Sequence, residues 1–278
     1  MKKLFTTLLF SVATLVSYAQ ESLEITASLP PNSTYEMHTK SVMDMTMNID
    51  VVDAKIPETE KSFNSKTESE FKIRTVTSQK DKLNNVPFDI FYTDVKFKTI
   101  INGKENPSVD ESLNGLYQVK IKGLDNGIKR EFGEIEGPSE FKSMFEILYN
   151  SFENMNIMPK GVFKLNETHT FQNEFNVPMP DGSQFSFTMD TSFTLIKIED
   201  GKAYFDVSLS SKPNSQQMEN YTITIKNYDV KGKLKLDIND NNISESTFNG
   251  PLVINLFGEG FKMVMKTTYD YSINSKKL

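Results

Sequence analysis

Met43-Asp44-Met45-Thr46-Met47-Asn48-Ile49-Asp50-Val51 alternates apolar and polar side chains without a break. Successive side chains on a strand point to opposite faces. Met43, Met45, Met47, Ile49 and Val51 therefore share one face, and Asp44, Thr46, Asn48 and Asp50 share the other. A helix would spread both sets around its circumference, so the period decides for a strand with one buried and one wet face.

The same period recurs along the chain. It groups Phe71 with Ile73, Val95 with Phe97 and Ile101, and Tyr117 with Val119 and Ile121. It continues through Phe185, Phe187, Met189, Phe193 and Leu195, then Ala203, Phe205, Val207 and Leu209. The last run is Phe261, Met263, Met265, Tyr269, Tyr271 and Ile273. About eleven such segments make the chain mainly β, and clean alternation is the habit of antiparallel sheets. Asp125-Asn126-Gly127, Asp181-Gly182, Asp200-Gly201 and Asp240-Asn241-Asn242 fall between runs and read as hairpin turns. Long runs of this kind curl, with Gly232 and the Gly258–Gly260 pair as bend points.

One segment changes period. Phe141, Met144, Phe145, Leu148, Phe152 and Met155 recur at helical spacing after Pro138 and the N-cap Ser139. This predicts an amphipathic helix over 139–156, closed by Pro159 and Gly161 and packed on the sheet. The expected fold is a large curved antiparallel sheet or unclosed barrel carrying that helix. The alternative is two smaller β lobes, 22–135 and 162–275, joined by it.

Residues 1–19 read as a signal peptide. Lys2 and Lys3 precede the apolar run from Leu4 to Val16, and Ser17-Tyr18-Ala19 supplies the small residues of a cleavage site. The run is shorter than the ~20 residues a membrane span needs, and no other stretch approaches that length. The expectation is export to the periplasm or beyond, with residues 20–278 as one β-rich domain. The chain has no cysteine, so it is neither lipid-anchored through a thioether nor braced by disulfides. Without Lys2 and Lys3 the net charge is about −8, against −6 for the whole chain. That balance argues against a nucleic-acid or anionic-membrane partner.

The motifs of catalysis and metal binding are weak. Only two histidines, His38 and His169, are present, and neither stands in a ligand cluster. Asp237-Ile238-Asn239-Asp240-Asn241-Asn242 begins like a calcium loop. However, it has Asn242 where the turn needs Gly and Phe248 where it needs a carboxylate, so a hairpin turn explains it. No G-x-S-x-G nucleophile turn occurs, and Glu134, Glu136 and Arg130 read as a wet strand face. The expectation is a protein that is not an enzyme and needs no cofactor.

The remaining clue is apolar. The chain holds 13 Met and 21 Phe but no Trp. Without Trp it lacks the usual interfacial girdle of an outer-membrane barrel. Methionine adapts to irregular shapes, acyl chains included. A sheet lined by Met43, Met45, Met47, Phe185, Phe187, Met189, Met263 and Met265, with Phe141, Phe145, Leu148 and Phe152 as a lid, would hold an apolar ligand. The same residues would equally fill an ordinary core, leaving an envelope structural domain that recruits an envelope protein through its sheet edges.

Leu29-Pro30-Pro31-Asn32-Ser33-Thr34-Tyr35-Glu36-Met37 leads into the Met-rich strand, and Leu113-Asn114-Gly115-Leu116-Tyr117 precedes a strand pair. With Pro159-Lys160-Gly161 and the hairpin Ser192–Ala203, this layout resembles an uncharacterised family of exported bacterial β-rich domains without assigned activity. Where that family carries a Gly-Asp/Glu-x-Trp stretch, this chain has Leu165-Asn166-Glu167-Thr168-His169-Thr170. The resemblance implies the β fold and brings no functional residues. In architecture alone, the expected strand count and helix are similar to periplasmic lipoprotein carriers, which are unclosed barrels with helices over the open face.

Overall fold

The computed structural model describes residues 22–26, 28–51, 61–106, 119–127, 130–137, 159–178 and 184–278. Their side chains are described except at 51, 175–178 and 227. The predicted helix 139–156, with Phe141, Phe145, Leu148 and Phe152, and the predicted leader 1–19 lie outside these residues.

Every strand pair is antiparallel. The first meander is β2 (Thr34–Val51), β3 (Ser62–Thr77), β4 (Val86–Ile101), a short β5 (Lys104–Glu105), β6 (Val119–Asp125) and β7 (Arg130–Glu136). The second is β9 (Thr168–Pro178), β10 (Gln184–Glu199), β11 (Lys202–Ser211), a short β12 (Asn214–Gln217), β13 (Tyr221–Asp237), β14 (Asn242–Gly258) and β15 (Phe261–Lys277). β2 and β15 join them along the whole of β15, from Phe261 opposite Val51 to Lys277 opposite Tyr35. The result is one 13-stranded sheet in the order β7-β6-β4-β3-β2-β15-β14-β13-β11-β10-β9. Strands from both expected halves, 22–135 and 162–275, thereby belong to one continuous sheet. Among the described residues fifteen strands stand where about eleven were expected, because β1 (Ser22–Ile25), β5, β8 (Gly161–Lys164) and β12 are too short to show a period.

The turn chemistry holds where it is described. Asp200 and Gly201, both at positive φ, close the β10–β11 hairpin, and Asn241 does the same between β13 and β14. Asp237 Oδ1 accepts the amides of Asn239 and Asp240, so the calcium-like loop is a capped turn.

The sheet is bent. Gly250-Pro251 interrupts the middle of β14, and the ladder to β13 breaks there, between Tyr228 opposite Leu252 and Lys231 opposite Asn249. Pro251 removes a ladder donor. A Cβ on Gly250 would lie 2.3 Å from Asp229 O, and one on Gly232 would lie 2.2 Å from Thr247 O. Only glycine lets the two strands approach so closely.

The curl is strongest at one end, here called the base. Asn241 Nδ2 donates to Ser28 O at 2.9 Å, and the next peptide nitrogen, Leu29 N, donates to Asp125 Oδ2 at 2.9 Å. These two bonds share one peptide unit, so Asn241 and Asp125 lie within about 8 Å. In a flat sheet the five strand spacings from β6 to β14 would separate them by about 24 Å. The sheet therefore wraps around the segment linking β1 and β2, which fills the base. Thr77 fixes that segment further, its hydroxyl accepting from Ser33 N and donating to Pro30 O. Among the described residues β7 and β9 do not pair, so the wrap stops short of a closed barrel.

β1 and β8 pair with each other and pack inside the base. Leu23, Ile25 and Phe163 meet Phe193, Leu195, Phe205, Leu234 and Leu236 in the main core cluster. Phe163 is fully buried and meets Phe205 edge-on at 5.3 Å. No helix among the described residues is long and apolar enough to cross a membrane.

Candidate functional site

Residues paired across neighbouring strands share a face. The register therefore traces rows across the concave side. One row runs Ser65, Met45, Thr267, Leu252, Tyr228, Ser211, Met189. The next toward the rim, opposite the base, runs Phe63, Met47, Met265, Ile254, Ile225, and the one after it includes Ile49, Met263, Leu256 and Ile223. Met43 lies beside Tyr269, one row nearer the base.

The concave face changes character along and across the sheet. At the base the core cluster fills it. On one flank Val119, Ile121 and Ile135 form a second buried cluster, and on the other Phe185, Met218, Ile223 and Ile225 form a third. Between them, Met43, Met45, Met47, Met263, Met265, Leu252 and Ile254 are only half-buried. This open central strip is a trough floored by β2, β3, β14 and β15. Phe71 and Phe97, edge-on at 5.3 Å, and Phe248 beside Tyr271 add its aromatic walls.

Charge is divided between the two faces. Lys277 stands on the concave face opposite Tyr35, paired with Asp240 at the base. From Met37 to the rim, no concave position of β2, β3, β4, β13, β14 or β15 carries a charged side chain. The convex face carries ion pairs such as Lys40–Glu70 at 3.6 Å, Lys72–Asp94 at 3.3 Å and Lys235–Glu245 at 2.9 Å. These exposed pairs add little stability, but they keep the outer face wet.

The phenols on the concave face include Tyr228, Tyr269 and Tyr271. Burial raises the pKa of Tyr228 to about 12, and the neighbouring Tyr269 acts in the same direction. Burial also raises Tyr269 and Tyr271.

The eight expected lining residues on the described strands all lie on this concave side, but not all line the open strip. The five expected methionines, Met43, Met45 and Met47 of β2 and Met263 and Met265 of β15, floor the trough. Phe185 and Met189 are 5% and 2% exposed, and Phe185 belongs to the flanking cluster with Met218. Phe187 is half-buried and stacks on Phe185 at 5.8 Å. Tyr228, Leu252, Ile254, Tyr269 and Tyr271 were not singled out from sequence as lining residues. The β15 alternation already placed both tyrosines of that strand with Met263. On β14, Pro251 and Val253 blur the period around Leu252 and Ile254.

His169 packs against the core of the base. Its ring lies 4.3 Å from that of Phe163, and the buried Nε2 has no hydrogen-bond partner. Glu167 Oε1 is 3.6 Å from Nε2, beyond hydrogen-bond reach. Among the described residues no group of His, Asp and Glu is arranged to hold a metal ion. Two surface depressions are separate from the methionines. One of about 450 Å³ lies at the rim beside Tyr221, Phe257 and Phe261, and one of about 310 Å³ crosses β2, β13, β14 and β15 near Val42 and Asn249.

No protein-family model matches the chain, and no curated protein matches it. Among solved structures, the chain is similar to one titled for lipid–protein interactions in lipovitellin. The two are 10% identical, with a TM-score of 0.44 over 88% of this chain and 25% of that one. It thus spans about a quarter of that protein's length. A secretin-domain β-barrel of InvG from the Salmonella injectisome is 9% identical over 88% of this chain and 63% of that one, at a TM-score of 0.14. The binding domain of botulinum neurotoxin serotype C1 is 12% identical over 85% and 78% of the two chains, also at 0.14.

Proposed function

We propose that this protein is an exported, non-enzymatic binding module that holds a lipid or other apolar ligand in the trough. The observation that carries this reading is the charge-free, half-buried strip of Met43, Met45, Met47, Met263 and Met265 on the concave side of a strongly curled sheet. Soluble domains rarely leave such a strip open to water without a partner for it. Each methylene that a ligand buries there contributes about 0.8 kcal/mol. Methionine side chains adjust to the contour of a flexible chain at little cost. Because the attraction is apolar, affinity stays nearly constant from low to high salt.

Native mass spectrometry of the protein made in bacteria, with uptake of the neutral fluorescent probe N-phenylnaphthylamine, tests this. Co-purifying lipid and saturable probe uptake are expected. Met265→Glu, which places a charge in the middle of the strip, is expected to weaken uptake at least tenfold. A ligand-free spectrum with no uptake would refute the proposal and favour an envelope-protein interaction domain.

A further inference from the structure

The trough's polar groups are of one kind. On the concave face of β2, β3, β4 and β13–β15, every polar side chain between base and rim is a hydroxyl. Ser41 and Ser69 bond to each other at 2.6 Å. Deeper toward the base, Thr39 and Ser246 flank Ile273 in one row, two strand spacings or about 10 Å apart. They are 4% and 3% exposed, and neither hydroxyl oxygen has a hydrogen-bond partner. The Tyr271 phenol stands beside Thr39.

A buried hydroxyl without a partner costs about 1–3 kcal/mol. Two in one row, beside a buried phenol, form an unsatisfied polar station at the deep end of an apolar strip. A ligand oxygen arriving there would remove that cost. An anionic head would not fit, because no lysine or arginine flanks this row: Lys277, on the same face, lies about 13 Å from Ile273 along β15 and is paired with Asp240.

Taking the trough as the binding site proposed above, we infer that its ligand is an amphiphile with an uncharged, oxygen-bearing head. That head, a hydroxyl or ester of the acylglycerol kind, lies at Thr39, Ser246 and Tyr271. The hydrocarbon runs toward the rim over Met45, Met47, Met263 and Met265. The distance from Thr39 to Met47 along β2, about 26 Å, accommodates a long acyl chain. Fatty acids and anionic phospholipids are discriminated against at the head and not along the chain.

The test uses the delipidated full chain loaded with N-phenylnaphthylamine and displaced at pH 8 by ligands of equal chain length. These are monopalmitoylglycerol, palmitate and palmitoyl lysophosphatidylglycerol. The neutral glyceride is expected to displace the probe at concentrations at least tenfold below the two anions. In the double variant Thr39→Val, Ser246→Ala, the glyceride is expected to lose at least tenfold while probe affinity stays within twofold. That variant removes only unpartnered hydroxyls, so it is expected to melt at or above the parent temperature. Equal or tighter binding of palmitate overturns the inference while leaving the trough as a site. So does an unchanged glyceride affinity, or a joint loss of probe binding and stability, in the double variant. Failure of the parent to take up the probe removes the trough reading and this inference with it.

Discussion

Replacing Asp125 with alanine should loosen the base of the sheet more than any other single carboxylate change. Asp125 is 2% exposed at the end of β6. Its Oδ2 accepts from Leu29 N at 2.9 Å and faces Arg130 Nε at 3.4 Å, and its Oδ1 accepts from Gly127 N at 2.8 Å. Through Leu29, and the Asn241 bond to the same peptide unit, the carboxylate ties together strands that a flat sheet would keep far apart. Removing one member of a buried charge pair costs about 3–5 kcal/mol. The Arg130 side chain is 30% exposed, so water recovers part of that, and about 2–4 kcal/mol is the expected loss. For a chain of this length each kcal/mol lowers Tm by about 2–4 °C, which predicts a drop of roughly 4–16 °C. Circular-dichroism melts measure the drop, and hydrogen exchange at residues 28–33 locates it. Asp125→Asn keeps an acceptor for Leu29 N and should lose about half as much. A Tm within about 2 °C of the parent for Asp125→Ala, with residues 28–33 still protected, would refute this account of the curl.

Two other expectations concern the bend and the phenols. Gly250→Ala places a Cβ 2.3 Å from Asp229 O and 2.5 Å from Val230 Cα, both backbone atoms, so the corner must open. The expected loss is about 1–3 kcal/mol in urea denaturation, and a variant within about 0.5 kcal/mol of the parent would show that the corner is not fixed by this contact. At high pH, Tyr228, Tyr269 and Tyr271 stay protonated in the native state while the unfolded chain ionises near pH 10. Their contribution is therefore complete below pH 10 and is lost as pH rises toward about 12, where Tyr228 titrates. Spectrophotometric titration should show a late-ionising class of tyrosines, and stability should fall across that window. A single transition near pH 10 would contradict the burial of these rings.

The sequence by itself determined the strand content, the antiparallel habit and the division into an apolar and a charged face. Each follows from the period-two placement of residues such as Met43 to Val51, Phe193 to Val207 and Phe261 to Ile273, which depends only on local backbone geometry. It also determined the hairpins at Asp200-Gly201 and Asp240-Asn241-Asn242, because those residues tolerate positive φ. The structure decided which strands meet. The pairing of β2 with β15 joins residues more than two hundred positions apart, and no local pattern encodes a partner at that distance. Tertiary packing also decided which alternating residues are core and which are lining. Phe185 and Met45 look alike in sequence, yet Phe185 is covered by Met218 and its neighbours while Met45 lies on the half-open strip. Burial depends on what packs against a face, and here that is set by the curl, which Asp125, Asn241 and the Gly250-Pro251 corner impose through contacts distant in the chain.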